Sequence, residues 1–125
     1  MSAKFLLCEH CGNLAGVIHD AGVPMMCCGQ KMKVLEPNTV EASGEKHKPV
    51  VKAEGGALTV SVGSAEHPML PEHFIQWVYV QTEHGGQRRT LQPGEAPSVT
   101  FQLGGDRAVA VYAYCNLHGL WMTEV

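Results

Sequence analysis

The sequence predicts a mainly β protein in two parts, a small metal-stapled N-terminal domain followed by an antiparallel β-sandwich. Three observations carry this. Four of the five cysteines lie in the first 36 of 125 residues. Beyond them, "ALTVSV" and "SVTFQL" alternate apolar and polar residues with the two-residue period of a half-buried strand. Turn clusters (Gly55-Gly56, Gly85-Gly86, Pro93-Gly94 and Gly104-Gly105) punctuate the chain at the spacing of short strands in a sandwich. No segment carries helical periodicity over a convincing length, and no internal repeat is present.

The N-terminal piece comes first. So short a segment rarely folds without a staple. Cys8-x-x-Cys11 and the adjacent Cys27-Cys28 supply four thiolates, the number that a tetrahedral metal site needs. Gly12 and Gly29 each follow a cysteine and let the backbone turn tightly beside the sulfur. A disulfide between neighbouring cysteines is geometrically poor. Their Cα atoms stand ~3.8 Å apart across a trans peptide, below the ~4.4 Å lower limit of ordinary disulfides. A thioredoxin-like redox pair would need a βαβ context, which is missing. Zinc and iron both accept four thiolates, so ligand type leaves the metal open. His10 and His19 are then solvent-exposed neighbours. Glu36-Pro37-Asn38 reads as a turn and sets the expected boundary, with domains 1–36 and 37–125.

The second part unfolds as strands and turns. Leu58, Val60 and Val62 share one face of "ALTVSV", and Val99, Phe101 and Leu103 share one face of "SVTFQL". "FIQWVYVQT" and "RAVAVYAYC" are rich in Val, Tyr and Trp without clean alternation, as in strands buried on both faces. "SAEHPMLPEH" resists a strand because of Pro68 and Pro71 and is expected to be a loop with room for one helical turn. "TEHGGQ" reads as a hairpin tip with His84 on the surface.

Composition narrows the function. Nine Lys+Arg against twelve Asp+Glu give a net charge of −3 with no basic run, which argues against nucleic acid as partner. No apolar stretch approaches the ~20 residues that cross a bilayer. "MSAKFLLCEH" is too short for a signal-peptide core, so a cytoplasmic location is expected. There, cysteines bind metals or do redox chemistry more often than they form disulfides, and an odd count of five fits no fully paired framework.

Five histidines and Cys115 fall in the second part. Taken singly, each histidine reads as a loop residue and Cys115 as a small apolar side chain. Their combination points to a second metal site. Cys115-x-x-His118 follows a strand end, His67 and His73 flank the proline loop, and His47 sits in "GEKHKP". Four histidines and a cysteine exceed the usual tetrahedral zinc set and imply a square pyramid with one open position.

"CEHCGN…CCGQ", "GEKHKP", "EHPMLPEHFIQW" and "YCNLHGLW", in this order and at these separations, resemble the desulfoferrodoxins, the two-iron class of superoxide reductase. The likeness spans essentially the whole chain. It implies a desulforedoxin-like, rubredoxin-type iron centre on Cys8, Cys11, Cys27 and Cys28. It implies a catalytic iron held by His47, His67, His73 and His118, with Cys115 as axial thiolate, in an immunoglobulin-like sandwich. It also implies a homodimer that detoxifies superoxide by one-electron reduction to hydrogen peroxide, releasing no dioxygen, and that takes electrons from rubredoxin or a similar donor. By itself "GEKHKP" is a solvated charged loop. Under the resemblance, Lys46 attracts superoxide and helps deliver protons, and Glu45 occupies the open position of the oxidised iron. Lys48 adds positive charge, while Trp77 and Trp121 pack around the site. Two other readings remain: a small electron carrier needing only the cysteines, and a zinc-stapled β-domain for protein interactions.

Overall fold

The computed structural model describes residues 3–125. The chain divides into two compact units, with the division between Glu36 and Pro37.

In the first unit, β1 (Phe5–Leu7) lies between β2 (Leu14–Gly16) and β5 (Lys33–Val34) in a small antiparallel sheet. β3 (Met26–Cys27) and β4 (Gln30–Lys31) form a separate hairpin. Phe5, Leu6 and Cys8 are the apolar residues buried here among those described. Little apolar surface is removed from water, so hydrophobic burial alone holds this unit weakly.

The second unit opens with one helical turn, α1 (Gly44–His47), and continues as strands. β6 (Pro49–Glu54), β7 (Ala57–Val62) and β10 (Ser98–Gln102) make one sheet, ordered β10-β7-β6. β8 (Ile75–Thr82), β9 (Gly85–Thr90), β11 (Ala108–Cys115) and β12 (Gly119–Glu124) make the other, ordered β12-β11-β8-β9. All pairings are antiparallel. The core lies between the sheets. Leu58, Val60, Val62, Val99 and Phe101 from one meet Ile75, Val78, Val80, Val111, Ala113 and Cys115 from the other. The alternation in β7 and β10 thus faces the core as the sequence predicts, and the whole is a mainly β, immunoglobulin-like sandwich.

Three strands escape the periodicity reading. β9 is exposed along its whole length and carries no apolar side chain; it is an edge held by backbone pairing to β8, with two arginines guarding it. Gly85 opens this strand rather than closing a turn, because Thr82 pairs with Gly85 across Glu83 and His84. In β6 only Pro49 is buried, and β12 follows the Cys115–His118 turn so closely that it merges with it in sequence. The helical turn lies at Gly44–His47, not within residues 64–73, which form turns and one bridge between Leu70 and His73. β11 is buried on nearly every position, whereas β8 keeps Gln76, Tyr79 and Gln81 partly exposed.

Candidate metal centres

The adjacent cysteines of the first unit sit on a two-residue turn. Cys27 pairs with Gln30, leaving Cys28 and Gly29 as the central residues with φ of 53° and 75°. Positive φ at both positions defines the mirror-image turn that suits a tight hairpin. Consecutive strand residues would send their sulfurs to opposite faces; the left-handed conformation at Cys28 breaks that alternation. All four sulfurs, from Cys8, Cys11, Cys27 and Cys28, lie within 4.8 Å of one another. Cys11 and Cys27 approach to 3.6 Å, and the five cysteines of the chain are free of disulfides.

The surroundings favour thiolates unevenly. The Cys11 backbone N–H, 3.5 Å from the Cys8 sulfur, and that of His10 hold the Cys8 thiol down at about 6. Crowding by the Cys11 and Cys8 sulfurs pushes Cys28 up to about 12, and Cys8 raises Cys27 in the same way. Four sulfurs this close repel as anions, and a bound cation reverses that balance. The Asn13 amide donates to the Cys27 sulfur at 3.6 Å, a contact that the sequence reading did not anticipate. His10 and His19 are exposed, as expected.

At one end of the sandwich five more donors converge. His47 ends α1, His67 and His73 come from the β7–β8 connection, Cys115 ends β11, and His118 lies in the turn before β12. Donor atoms of His47, His67, His73 and Cys115 lie within 4.8 Å of one another. His118 joins them through Nδ1, 3.1 Å from His47 Nε2 and 3.8 Å from the Cys115 sulfur.

Second contacts fix which nitrogens face inward. A carbonyl can only accept, so His47 Nδ1–H donates to the Ser43 carbonyl and His67 Nδ1–H to the Pro68 carbonyl, each at 2.6 Å. Their Nε2 atoms are left as lone pairs. His67 Nε2 and His73 Nε2 are buried without a hydrogen-bond partner. Orphaned buried ring nitrogens cost free energy unless something occupies the space between them. Burial, foremost, lowers the basicity of His47, His67 and His73, and His67 is held down at about 4. Neutral imidazoles are the form that binds a metal. Burial raises the Cys115 thiol, opposed by the backbone N–H groups of Leu117 and His118. Four imidazoles and one sulfur make a donor set suited to a divalent transition metal.

Local packing holds the donors. The Trp121 indole stacks on His47 at 4.9 Å and donates to the His118 carbonyl at 3.1 Å, so one side chain braces two of them. Trp77 instead stacks on Tyr114. The Asn116 side chain accepts from the Phe74 N–H at 2.9 Å and donates to the Glu72 carbonyl at 3.0 Å, tying the Cys115–His118 turn to the segment bearing His73. Its place between Cys115 and His118 was the available sequence signal. Glu45 and Lys46 are exposed on α1, the Glu45 carboxylate accepting from the Ser43 hydroxyl at 3.2 Å. The Lys46 charge lies close enough to disfavour protonation of both His47 and His73. His84 stands apart, paired with Asp106 at 3.0 Å on the surface.

A model of the desulfoferrodoxin family matches residues 39–124. The chain belongs to the desulfoferrodoxin family. A desulfoferrodoxin of Syntrophotalea carbinolica is 43% identical over 94% of this chain and 92% of its own length. A desulfoferrodoxin homolog of Archaeoglobus fulgidus is 42% identical over 93% and 92%. The crystal structure of the superoxide reductase from Treponema pallidum superposes with a TM-score of 0.83 at 38% identity, covering 99% of this chain and all of that one. The four-sulfur group and the group of four histidines and a cysteine match the family's two iron centres.

Proposed function

We propose that the centre formed by His47, His67, His73, His118 and Cys115 reduces superoxide, which takes up one electron and two protons and leaves as hydrogen peroxide. The observation that carries this reading is the convergence of five inward donors, two of them orphaned imidazole nitrogens, in a member of this family. His47, His67, His73, His118 and Cys115 would hold an iron that would supply the electron and, with five donors from the chain, would leave one position for a small anion.

The chain's residues do the rest. Cys115 gives electron density from the core side, and the Leu117 and His118 N–H groups steady its thiolate form. Lys46, exposed beside the site, draws the superoxide anion and passes protons through water. Glu45 would supply a carboxylate to the position left open on the oxidised iron, which requires that carboxylate to leave the Ser43 hydroxyl. Residues 37–125 form the catalytic domain, and residues 1–36 a desulforedoxin-like domain whose cysteines hold a second iron. An external donor of the rubredoxin kind returns the electron in the cytoplasm. The protein is a homodimer; in support, the first unit leaves Ile18, Val23, Met25 and Met26 at least half exposed, apolar side chains that a second copy would cover.

Metal analysis with visible spectroscopy tests the reading. Two irons per chain are expected, with a thiolate-to-iron band that Cys115→Ser abolishes together with superoxide consumption. Zinc alone, or undiminished consumption by Cys115→Ser, contradicts it.

A further inference from the structure

Gly63, just past β7, is buried against the backbone that carries Glu45 and Lys46. A Cβ at this position would stand 2.5 Å from the Glu45 carbonyl oxygen, 2.9 Å from the Lys46 carbonyl carbon and 3.0 Å from the Lys48 carbonyl oxygen. All three are backbone atoms, which cannot swing aside as the tip of a side chain can. The φ of Gly63 lies outside the left-handed region, so what favours glycine here is the missing Cβ and not a positive φ. The next two residues grip the same carbonyl. Ala65 N–H donates to Glu45 O at 2.8 Å and the Ser64 hydroxyl donates to it at 3.1 Å. His67 N–H then donates to Val62 O at 3.0 Å and closes the turn. One short segment therefore holds the Glu45 backbone at its middle and a converging imidazole at its end.

The turn it grips cannot hold itself. α1 has four residues, below the length at which helical hydrogen bonding is self-sustaining. Its N-cap residue, Ser43, makes no capping bond with its side chain, which is turned to the Glu45 carboxylate instead. The placement of Glu45 and Lys46 must come from outside the helix.

We propose that Gly63-Ser64-Ala65 is a positioning latch: by close packing and two hydrogen bonds to the Glu45 carbonyl, it sets where Glu45 and Lys46 stand relative to His47 and His67. The latch rests on the reading of that cluster as an iron site with Lys46 beside the anion position.

The test uses the full-length, iron-loaded protein with Gly63→Ala, Ser64→Ala and Ser64→Thr. Two readouts do not depend on turnover: amide hydrogen exchange at residues 44–48 and 65, and azide affinity from a spectral titration of the iron. Ser64→Ala removes one hydrogen bond, so exchange should quicken and the azide dissociation constant rise by roughly 2- to 10-fold. Ser64→Thr should restore both, and Gly63→Ala should exceed Ser64→Ala. Iron content and the thiolate-to-iron band should stay unchanged in the serine variants, and the superoxide rate should fall with azide affinity. Wild-type exchange and azide affinity in Ser64→Ala, or a Ser64→Thr protein no better than Ser64→Ala, overturns the latch. Should Gly63→Ala fail to retain iron, the serine pair decides. Failure of the wild-type protein to consume superoxide overturns the functional reading instead, while the exchange and azide results still judge the latch.

Discussion

Two converging histidines of the second unit, His47 and His67, are set by what their other nitrogen touches. The Ser43 and Pro68 carbonyls accept from Nδ1–H of His47 and His67, which keeps the proton on Nδ1 and leaves Nε2 as the inward lone pair. His118 is turned the other way, presenting Nδ1 beside His47 and Cys115. None of these tautomers is visible in sequence spacing, which supplies residue types but no ring orientation. The charged pair beside His47 is different, since its role depends on reach rather than on a fixed contact. Lys46→Ala should slow the second-order reaction with superoxide by about 10-fold or more and flatten its dependence on ionic strength. Iron content should not change. Stopped-flow mixing over a range of salt checks this, and an unchanged salt slope removes Lys46 from the mechanism.

Among the elements, the connections matter more than the strands. β7 and β10 were legible because one face is buried and the other wet, which writes itself as alternation. β9 was not, because an exposed edge strand needs only backbone pairing and carries no apolar signal. α1 was missed for a similar reason: a single turn held from outside leaves no periodicity. The Cys27-Cys28 hairpin was half legible. Its two cysteines were read from the spacing as half of a four-thiolate site with Cys8 and Cys11, but the left-handed Cys28 that brings the sulfurs to one side is a tertiary fact. The Asn116 tie between the Cys115–His118 turn and the His73 segment can be tested directly. Asn116→Ala leaves the Phe74 N–H and Glu72 carbonyl without their side-chain partner. The expected loss is about 1–3 kcal/mol, read as a lower urea midpoint, together with faster loss of iron to a chelator. A variant as stable as the parent shows that water replaces the amide at no cost.

At the level of the whole molecule, the two units owe their stability to different sources. The sandwich has a continuous apolar core, whereas the N-terminal unit buries only Phe5, Leu6 and Cys8 among its described residues. Stripping the metals should therefore collapse the amide signals of residues 3–36 toward random-coil positions while those of 37–125 stay dispersed. Persistent dispersion in the first unit would show that it folds without its staple. The metal-free sandwich should in turn be acid-sensitive. His67 is held at about 4 by burial, while an unfolded imidazole titrates near ~6.5. Between these values the unfolded chain binds the extra proton, so stability falls as pH drops through that window and is level above it. The melting temperature of metal-free protein should be lower at pH ~5 than at ~7.5, and His67→Leu should narrow the difference. The central claim concerns chemistry rather than stability, and product stoichiometry addresses it most directly. With a reduced donor in excess, each superoxide consumed should yield one hydrogen peroxide and no dioxygen. Half as much peroxide, with dioxygen making up the balance, would mean dismutation and contradict the account.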